Sequence, residues 1–230
     1  MSQGPAPAEG APAGSGDRGR DEVHPALVRA AAAHDFDEIY RTTTPPWDIG
    51  RPQGTFVRLA DAGVLGARVL DAGCGTGEHA LLAAAHGSAA VGVDASPTAI
   101  ERARAKAAAR GLDVRFVVGD ALDLGALGER FHTVLDCGLF HTFDDDDRAR
   151  YVASLGAALV EGGRCHVLCF SDAQPGDWGP RRVRREELEA AFASGWRLES
   201  VEPTELELIE GMGTARAWLA TAVRAGAWQT

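Results

Sequence analysis

Short apolar runs recur along the chain and alternate with longer stretches of mixed character. Five of them, at 68–72, 89–94, 114–121, 131–137 and 164–170, carry consecutive apolar or small residues rather than strict alternation. Strands covered on both faces of a parallel sheet need that pattern. Between them the period changes to that of helices, at 80–85, 97–110, 148–160 and 186–193. Ser96 is placed to cap the second of these, with Pro97 at its first position and Gly111 at its stop. Asp144 to Asp147 put negative charge at the start of the third, and Gly162-Gly163 end it. Strand and helix taking turns predict an α/β fold with a doubly wound parallel sheet. Two more strand patterns, 196–201 and 215–223, close the chain.

Upstream, 55–62 reads as a helix ended by Gly63, with Phe56, Leu59 and Ala60 on one face. Residues 36–40 make a helical turn or two. Residues 44–53 hold Pro45, Pro46 and Pro52, which exclude regular helix and central strand. Residues 1–20 are Gly, Pro, Ala and Ser with scattered charge and no apolar period, so a disordered tail is expected. A helix over 24–33 with Asp21 as its cap would follow, which makes 21–230 one domain.

Composition narrows the function. The 230 residues are 45% hydrophobic, enough for a sizeable core, and the net charge is -10. That charge argues against nucleic acid and acidic membranes, since phosphate contact needs excess Lys and Arg. No apolar run approaches the roughly 20 residues of a membrane span. The N-terminus lacks the basic and apolar regions of a signal peptide, so a cytoplasmic protein is expected, monomeric or weakly dimeric. Cys74, Cys137, Cys165 and Cys169 form no C-x-x-C, and His166 lies on the opposite strand face from Cys165 and Cys169. They read as buried small hydrophobes, and no metal is expected. Asp144 to Asp147 lack the glycine and distal glutamate of a calcium loop. Arg181, Arg182, Arg184 and Arg185 read as a solvated face, with a lid over the substrate as the other role open to them. Glu101, Arg102, Arg104 and Lys106 read as solvated charge on the 97–110 helix.

The chemistry sits after the first strand. Gly73-x-Gly75-x-Gly77 leads straight into a helix, so the turn needs positive φ and the helix offers free N–H groups at its mouth. The dinucleotide pattern G-x-G-x-x-G fails, because Glu78 stands at its last position. Asp94 ends the second strand, 21 positions after Gly73, where a carboxylate accepts from ribose hydroxyls. A helix cap is its other possible role. Gly119-Asp120-Ala121 ends the third strand, and Asp123 competes with Asp120 for whatever role falls there. His141 follows the fourth strand, at the ligand-binding edge of such a sheet. Its ordinary pKa near 6.5 suits a weak general base, and a structural bond to a backbone carbonyl is the alternative.

Asp71-Ala72-Gly73-Cys74-Gly75-Thr76-Gly77-Glu78 resembles motif I of class I S-adenosylmethionine-dependent methyltransferases. Pro45-Pro46-Trp47-Asp48-Ile49-Gly50-Arg51-Pro52-Gln53 resembles the N-terminal signature of their thiopurine and thiol/halide group. The resemblance covers about residues 36–221. It implies a Rossmann-like sheet of seven strands, mostly parallel, with helices on both faces and an antiparallel C-terminal strand pair. It also implies S-adenosylmethionine as cofactor, and methyl transfer to a small-molecule thiol or heteroaromatic S, N or O nucleophile. Carried over residue by residue, the cofactor set is Trp47, Gln53, Asp71, Gly73, Cys74, Gly75, Thr76, Gly77, Asp94, Ala95, Asp120, Ala121, Asp136 and Cys137, with Asp120 on the adenine amino group. Trp47 is either this cofactor contact or a tryptophan plugging the core. Asp48 receives no role. The Asn/Asp-Pro-Pro-aromatic motif of nucleic-acid and protein amine methyltransferases is missing, and Asp136-Cys137-Gly138-Leu139 stands in its place. Two other functions share these features: a nicotinamide-dependent oxidoreductase and a non-catalytic S-adenosylmethionine-binding protein.

Overall fold

The buried runs pair into one sheet. In the computed structural model, which describes Met1 and residues 35–226, β1 is Arg68–Ala72, β2 Ala89–Asp94, β3 Val114–Val118, β4 Phe131–Cys137, β5 Leu159–Phe170, β6 Trp196–Glu207 and β7 Thr214–Arg224. The expected tail beyond Met1 and the 24–33 helix with its Asp21 cap lie outside the described residues. Strand order is β3-β2-β1-β4-β5-β7-β6. Neighbours among β1 to β5 are parallel, and β7 is antiparallel to both β5 and β6. The expected seven-stranded, mostly parallel sheet with an antiparallel C-terminal pair is therefore present. The order reverses between β1 and β4, and ligands of open α/β sheets bind in the crevice outside the carboxyl ends at such a point.

Among the described residues six helices flank the sheet: α1 Phe36–Thr42, α2 Gly54–Asp61, α3 Glu78–Ala85, α4 Pro97–Arg110, α5 Asp145–Ala158 and α6 Arg185–Ala191. The strands feed two cores. Val69 and Ala90 join Leu81, Ile100 and Ala103 on one face, while Leu70 and Val91 join Tyr151, Leu155 and Leu188 on the other. Neighbouring residues on opposite faces are the period of two that a strand imposes. Both cores are apolar, which is why the strands read as continuous apolar runs.

Four expectations need correction. Gly162-Gly163 do not end a helix. They lie inside β5, which already begins at Leu159, and the pairing slips there between Phe131↔Leu159 and Thr133↔Arg164. Gly162, at φ 72°, supplies the left-handed residue that this irregularity needs. The third strand stops at Val118, so Gly119-Asp120-Ala121 follow it instead of ending it. α5 starts three residues early, because Asp144 accepts from the Asp147 N–H at 2.8 Å and caps it. On α4 three of the four charges expected to be solvated bond within the protein. Arg102 donates to the Tyr40 carbonyl, Arg104 to the Phe116 carbonyl, and Lys106 to Thr76 and Glu78.

Candidate active site

The glycine turn is built by close approach. Gly73, Gly75 and Gly77 have φ of 66°, 51° and 87°. A Cβ on Gly73 would stand 2.9 Å from Leu139, and one on Gly75 would stand 2.5 Å from the Tyr40 hydroxyl. Gly77 caps α3. Asp94 holds this turn from β2: its two oxygens accept from the Gly75 N–H and the Ser96 N–H, each at 2.8 Å. Burial pushes its carboxyl up. Ser96 takes the cap of α4, accepting from the Ala99 N–H. Ala95 is exposed beside them, and Cys74 and Thr76 are buried in the turn.

Two more carboxyls lie under the edge. Asp71 accepts from the Ala80 N–H through Oδ2, while its buried Oδ1 has no partner among the described residues. Burial, aided by Asp94 and Asp136, pushes its pKa up to about 8. Asp136 accepts from the Leu139 N–H, the Phe140 N–H and the Tyr151 hydroxyl, and burial takes it to about 7. Cys137 ends β4, half-buried beside it. Asp120 is exposed and accepts from the Leu122 N–H, capping the short 3-10 segment Ala121–Leu127 that contains Asp123.

Residues 36–53 form a roof over the turn. Tyr40 is buried with its hydroxyl against Gly75, and Trp47 Nε1 donates to that hydroxyl at 3.0 Å. Trp47 is half-buried, edge-on to Phe36 and Tyr40, and does not plug the core. Asp48, left without a role by the sequence, accepts from Thr76 Oγ1 at 2.8 Å and ties the loop to the turn. Asp37 adds a second tie, accepting from Ser96 Oγ and the Thr98 N–H. At the far end Gln53 is buried and pairs both ways with the Glu207 backbone, and the Ile209 N–H donates to the Pro46 carbonyl. Its side-chain amide is thus engaged with the end of β6. Glu78 pairs with Lys106 and Arg110, so its charge is neutralised between α3 and α4 and does not confront a ligand at the turn.

On the other side of the crevice stands His141. It is buried, edge-on to Phe170 at 5.2 Å, and its Nδ1 accepts from the Phe170 N–H at 3.0 Å. Its Nε2 faces Gly138, 3.4 Å from where a Cβ there would stand. Burial, with the charges of Arg182 and Arg148, lowers its pKa to about 3, so the ring is neutral. The structure thus gives His141 a partner of the opposite kind from the backbone carbonyl considered above. The arginine run is largely exposed, and each of its charges has a partner. Arg181 pairs with Asp145 and Glu187, Arg184 with Glu187 and Arg185 with Glu189, while Arg182 bonds backbone carbonyls.

Tyr40, Asp37 and Tyr151 escaped the sequence reading, because nothing in their local pattern marks the distant turn, helix or carboxylate that each meets. Among the described residues no group of three His, Cys, Asp or Glu is placed to hold a metal ion, and no helix is long and apolar enough to cross a membrane.

Residues 69–163 match the family described as a methyltransferase domain. A 2-heptyl-1-hydroxyquinolin-4(1H)-one methyltransferase from Mycobacteroides abscessus is 39% identical over 181 residues, 74% of this chain and 80% of that one. The chain belongs to the class I S-adenosylmethionine-dependent methyltransferases. A protein solved in work on the conversion of a disulfide bond into a thioacetal group during echinomycin biosynthesis is also 39% identical. It superposes with a TM-score of 0.76 over 86% of this chain and 94% of its own. A probable thiol methyltransferase of Arabidopsis thaliana is 26% identical over 81% of this chain and 84% of its own. Solved structures of the same fold hold S-adenosylmethionine or S-adenosylhomocysteine. The methyltransferase uses that cofactor and is not a nicotinamide-dependent oxidoreductase.

Proposed function

We propose that this methyltransferase acts on acidic acceptors that reach it as anions, thiols first and heteroaromatic or aromatic nitrogen and oxygen nucleophiles next. The hydrogen bond from the Phe170 N–H to His141 Nδ1 carries this reading. A neutral imidazole has one acceptor nitrogen and one donor. With Nδ1 accepting, Nε2 bears the proton. Such a ring offers a hydrogen bond to an anionic atom and has no lone pair left for the acceptor's proton. His141 is then a catalytic donor, and the general-base role loses its ground. A thiol, with a reference pKa of about 8.5, ionises near neutral pH without help, whereas an aliphatic alcohol needs a strong base.

The edge suits the cofactor. The unpartnered Asp71 Oδ1 beneath a glycine cradle accepts what an ammonium group offers, and Asp94 keeps lone pairs for hydroxyls. Trp47, Gln53, Cys74, Thr76, Ala95, Asp120, Ala121, Asp136 and Cys137 complete the set assigned to it. S-adenosylmethionine would supply, when bound, a sulfonium methyl whose carbon an acceptor lone pair would take in line, the C–S bond breaking and S-adenosylhomocysteine leaving. The protein's share is orientation, worth several kcal/mol when reacting atoms are held in near-attack geometry. The hydroxyquinolone and thiol named for two relatives are acidic acceptors, which supports the reading. A mass-spectrometric screen of thiols, phenols, heteroaromatic amines, halides and aliphatic alcohols tests it. Methylated thiols and phenols are expected; methylated aliphatic alcohols with untouched thiols would overturn it.

A further inference from the structure

Arg182 differs from its neighbours. Arg181, Arg184 and Arg185 each pair with a carboxylate, but among the described residues Arg182 has none within ion-pair distance. Asp177 is the acid that acts on it, at longer range. Four backbone carbonyls hold the guanidinium instead: Gln174, Gly176, Trp178 and Pro180. Carbonyl dipoles position a cation without cancelling its charge. A guanidinium has five N–H donors, so four bonds leave one to spare.

The place of this charge is fixed. Val183 donates to the Phe170 carbonyl, and its own carbonyl accepts from Asp172 N–H and Trp218 Nε1, all at 3.0 Å. The guanidinium lies 5.4 Å from the Phe170 ring and 5.7 Å from the Trp178 ring, and those two rings meet edge-on at 5.7 Å. Phe170 also touches His141. Its backbone and ring thus connect the His141 donor to a cation and a second aromatic, at the carboxyl end of β5. The cofactor half of the edge carries Asp71, Asp94 and Asp136, which suit a cation. The opposite half carries a positive charge that no carboxylate among the described residues contacts.

We propose that Arg182, with Phe170 and Trp178, forms a cationic aromatic cradle that selects planar, delocalised anions, such as arene thiolates, phenolates and hydroxy-heteroaromatic anions, over aliphatic thiolates and neutral rings. This rests on the anionic-acceptor reading above and names the class within it. The half-buried Trp178 indole offers a flat ring its face, buried Phe170 backs the guanidinium, and the guanidinium balances the delocalised charge.

Binding tests it apart from turnover. Calorimetry at one pH where 4-nitrophenol is ionised compares 4-nitrophenolate with neutral 4-nitroanisole on the S-adenosylhomocysteine-loaded protein. The wild type is expected to prefer the anion by about tenfold or more, the scale of one charge-assisted hydrogen bond. Arg182→Gln is expected to lose that preference by weakening the anion alone, and Arg182→Lys to keep most of it. Equal weakening of both ligands in Arg182→Gln would make Arg182 a scaffold of the 174–180 loop and overturn the proposal. So would a wild type without preference, a result that needs no variant to fold. Aliphatic alcohols methylated in the screen would sink the broader reading instead, whereas a failed preference with thiols still methylated sinks only this one.

Discussion

Asp94 shows how one side chain serves two ends. The sequence offered it as either a ribose ligand or a helix cap, and the structure gives the cap to Ser96 and a clamp on the glycine turn to Asp94. Asp94→Ala is therefore expected to weaken S-adenosylmethionine at least roughly tenfold, because charged hydrogen bonds contribute about 1.5–3 kcal/mol each. It should also lower stability by about 1–3 kcal/mol, since two buried N–H groups lose their acceptor. Calorimetry showing unchanged affinity would remove Asp94 from the cofactor site. His141 makes a kinetic prediction. With Nδ1 engaged by Phe170 and the pKa lowered to about 3, the ring does not titrate near neutral pH. The kcat/KM should rise with pH through the acceptor's own pKa, and the midpoint should move when the acceptor is changed. An inflection near pH 6.5 that is independent of the acceptor and vanishes in His141→Ala would restore the general base.

At the scale of elements, the roof of residues 36–53 carries the next prediction. Trp47 bonds Tyr40, and Tyr40 touches Gly75, so cofactor filling the turn must alter the indole's surroundings. Tryptophan fluorescence should shift on adding S-adenosylmethionine, and the shift should be lost in Trp47→Phe. A shift that survives would assign the signal to another of the five tryptophans. The central strands were legible because β1, β2 and β4 are buried on both faces and write continuous apolar runs. The turn was legible because positive φ and close approach leave only glycine. The early start of β5 was not, since Gly162-Gly163 look the same at a helix end and in a strand irregularity. The ties of the roof were not legible either. Gln53 finds Glu207 across 154 positions and Asp48 finds Thr76 across 28, and no local period encodes such meetings. For the same reason the separate partners of the exposed arginine run were not legible.

The whole molecule keeps acids and imidazoles buried in opposite protonation states, and its stability must follow pH accordingly. Burial, joined by the charges of Arg182 and Arg148 at His141 and of Arg164 at His166, holds His79, His141 and His166 at about 4, 3 and 4. Below their unfolded value of about 6.5 the unfolded chain binds protons that the folded chain refuses, so stability falls as pH drops from there. Asp71 and Asp136 work the other way. Burial raises them to about 8 and about 7, above the unfolded value of about 3.9, so the folded chain holds their protons and loses that stability as pH rises through 7 and 8. Three imidazoles against two acids leave the cofactor-free protein most stable near about pH 6 by this linkage. Thermal denaturation should show Tm declining from pH 6.5 to 8.5, and Asp71→Asn should flatten that decline. A cationic ligand beside these acids favours their ionised forms, so the Tm gain from S-adenosylmethionine should be larger at pH 8 than at pH 6, with protons released on binding at the lower pH. Calorimetry in buffers of different ionisation enthalpy reads that release directly. A cofactor-free Tm that climbs steadily from pH 6.5 to 8.5 would show that Asp71 and Asp136 are ionised in the folded chain, and the coupling between proton and cofactor would fall with it.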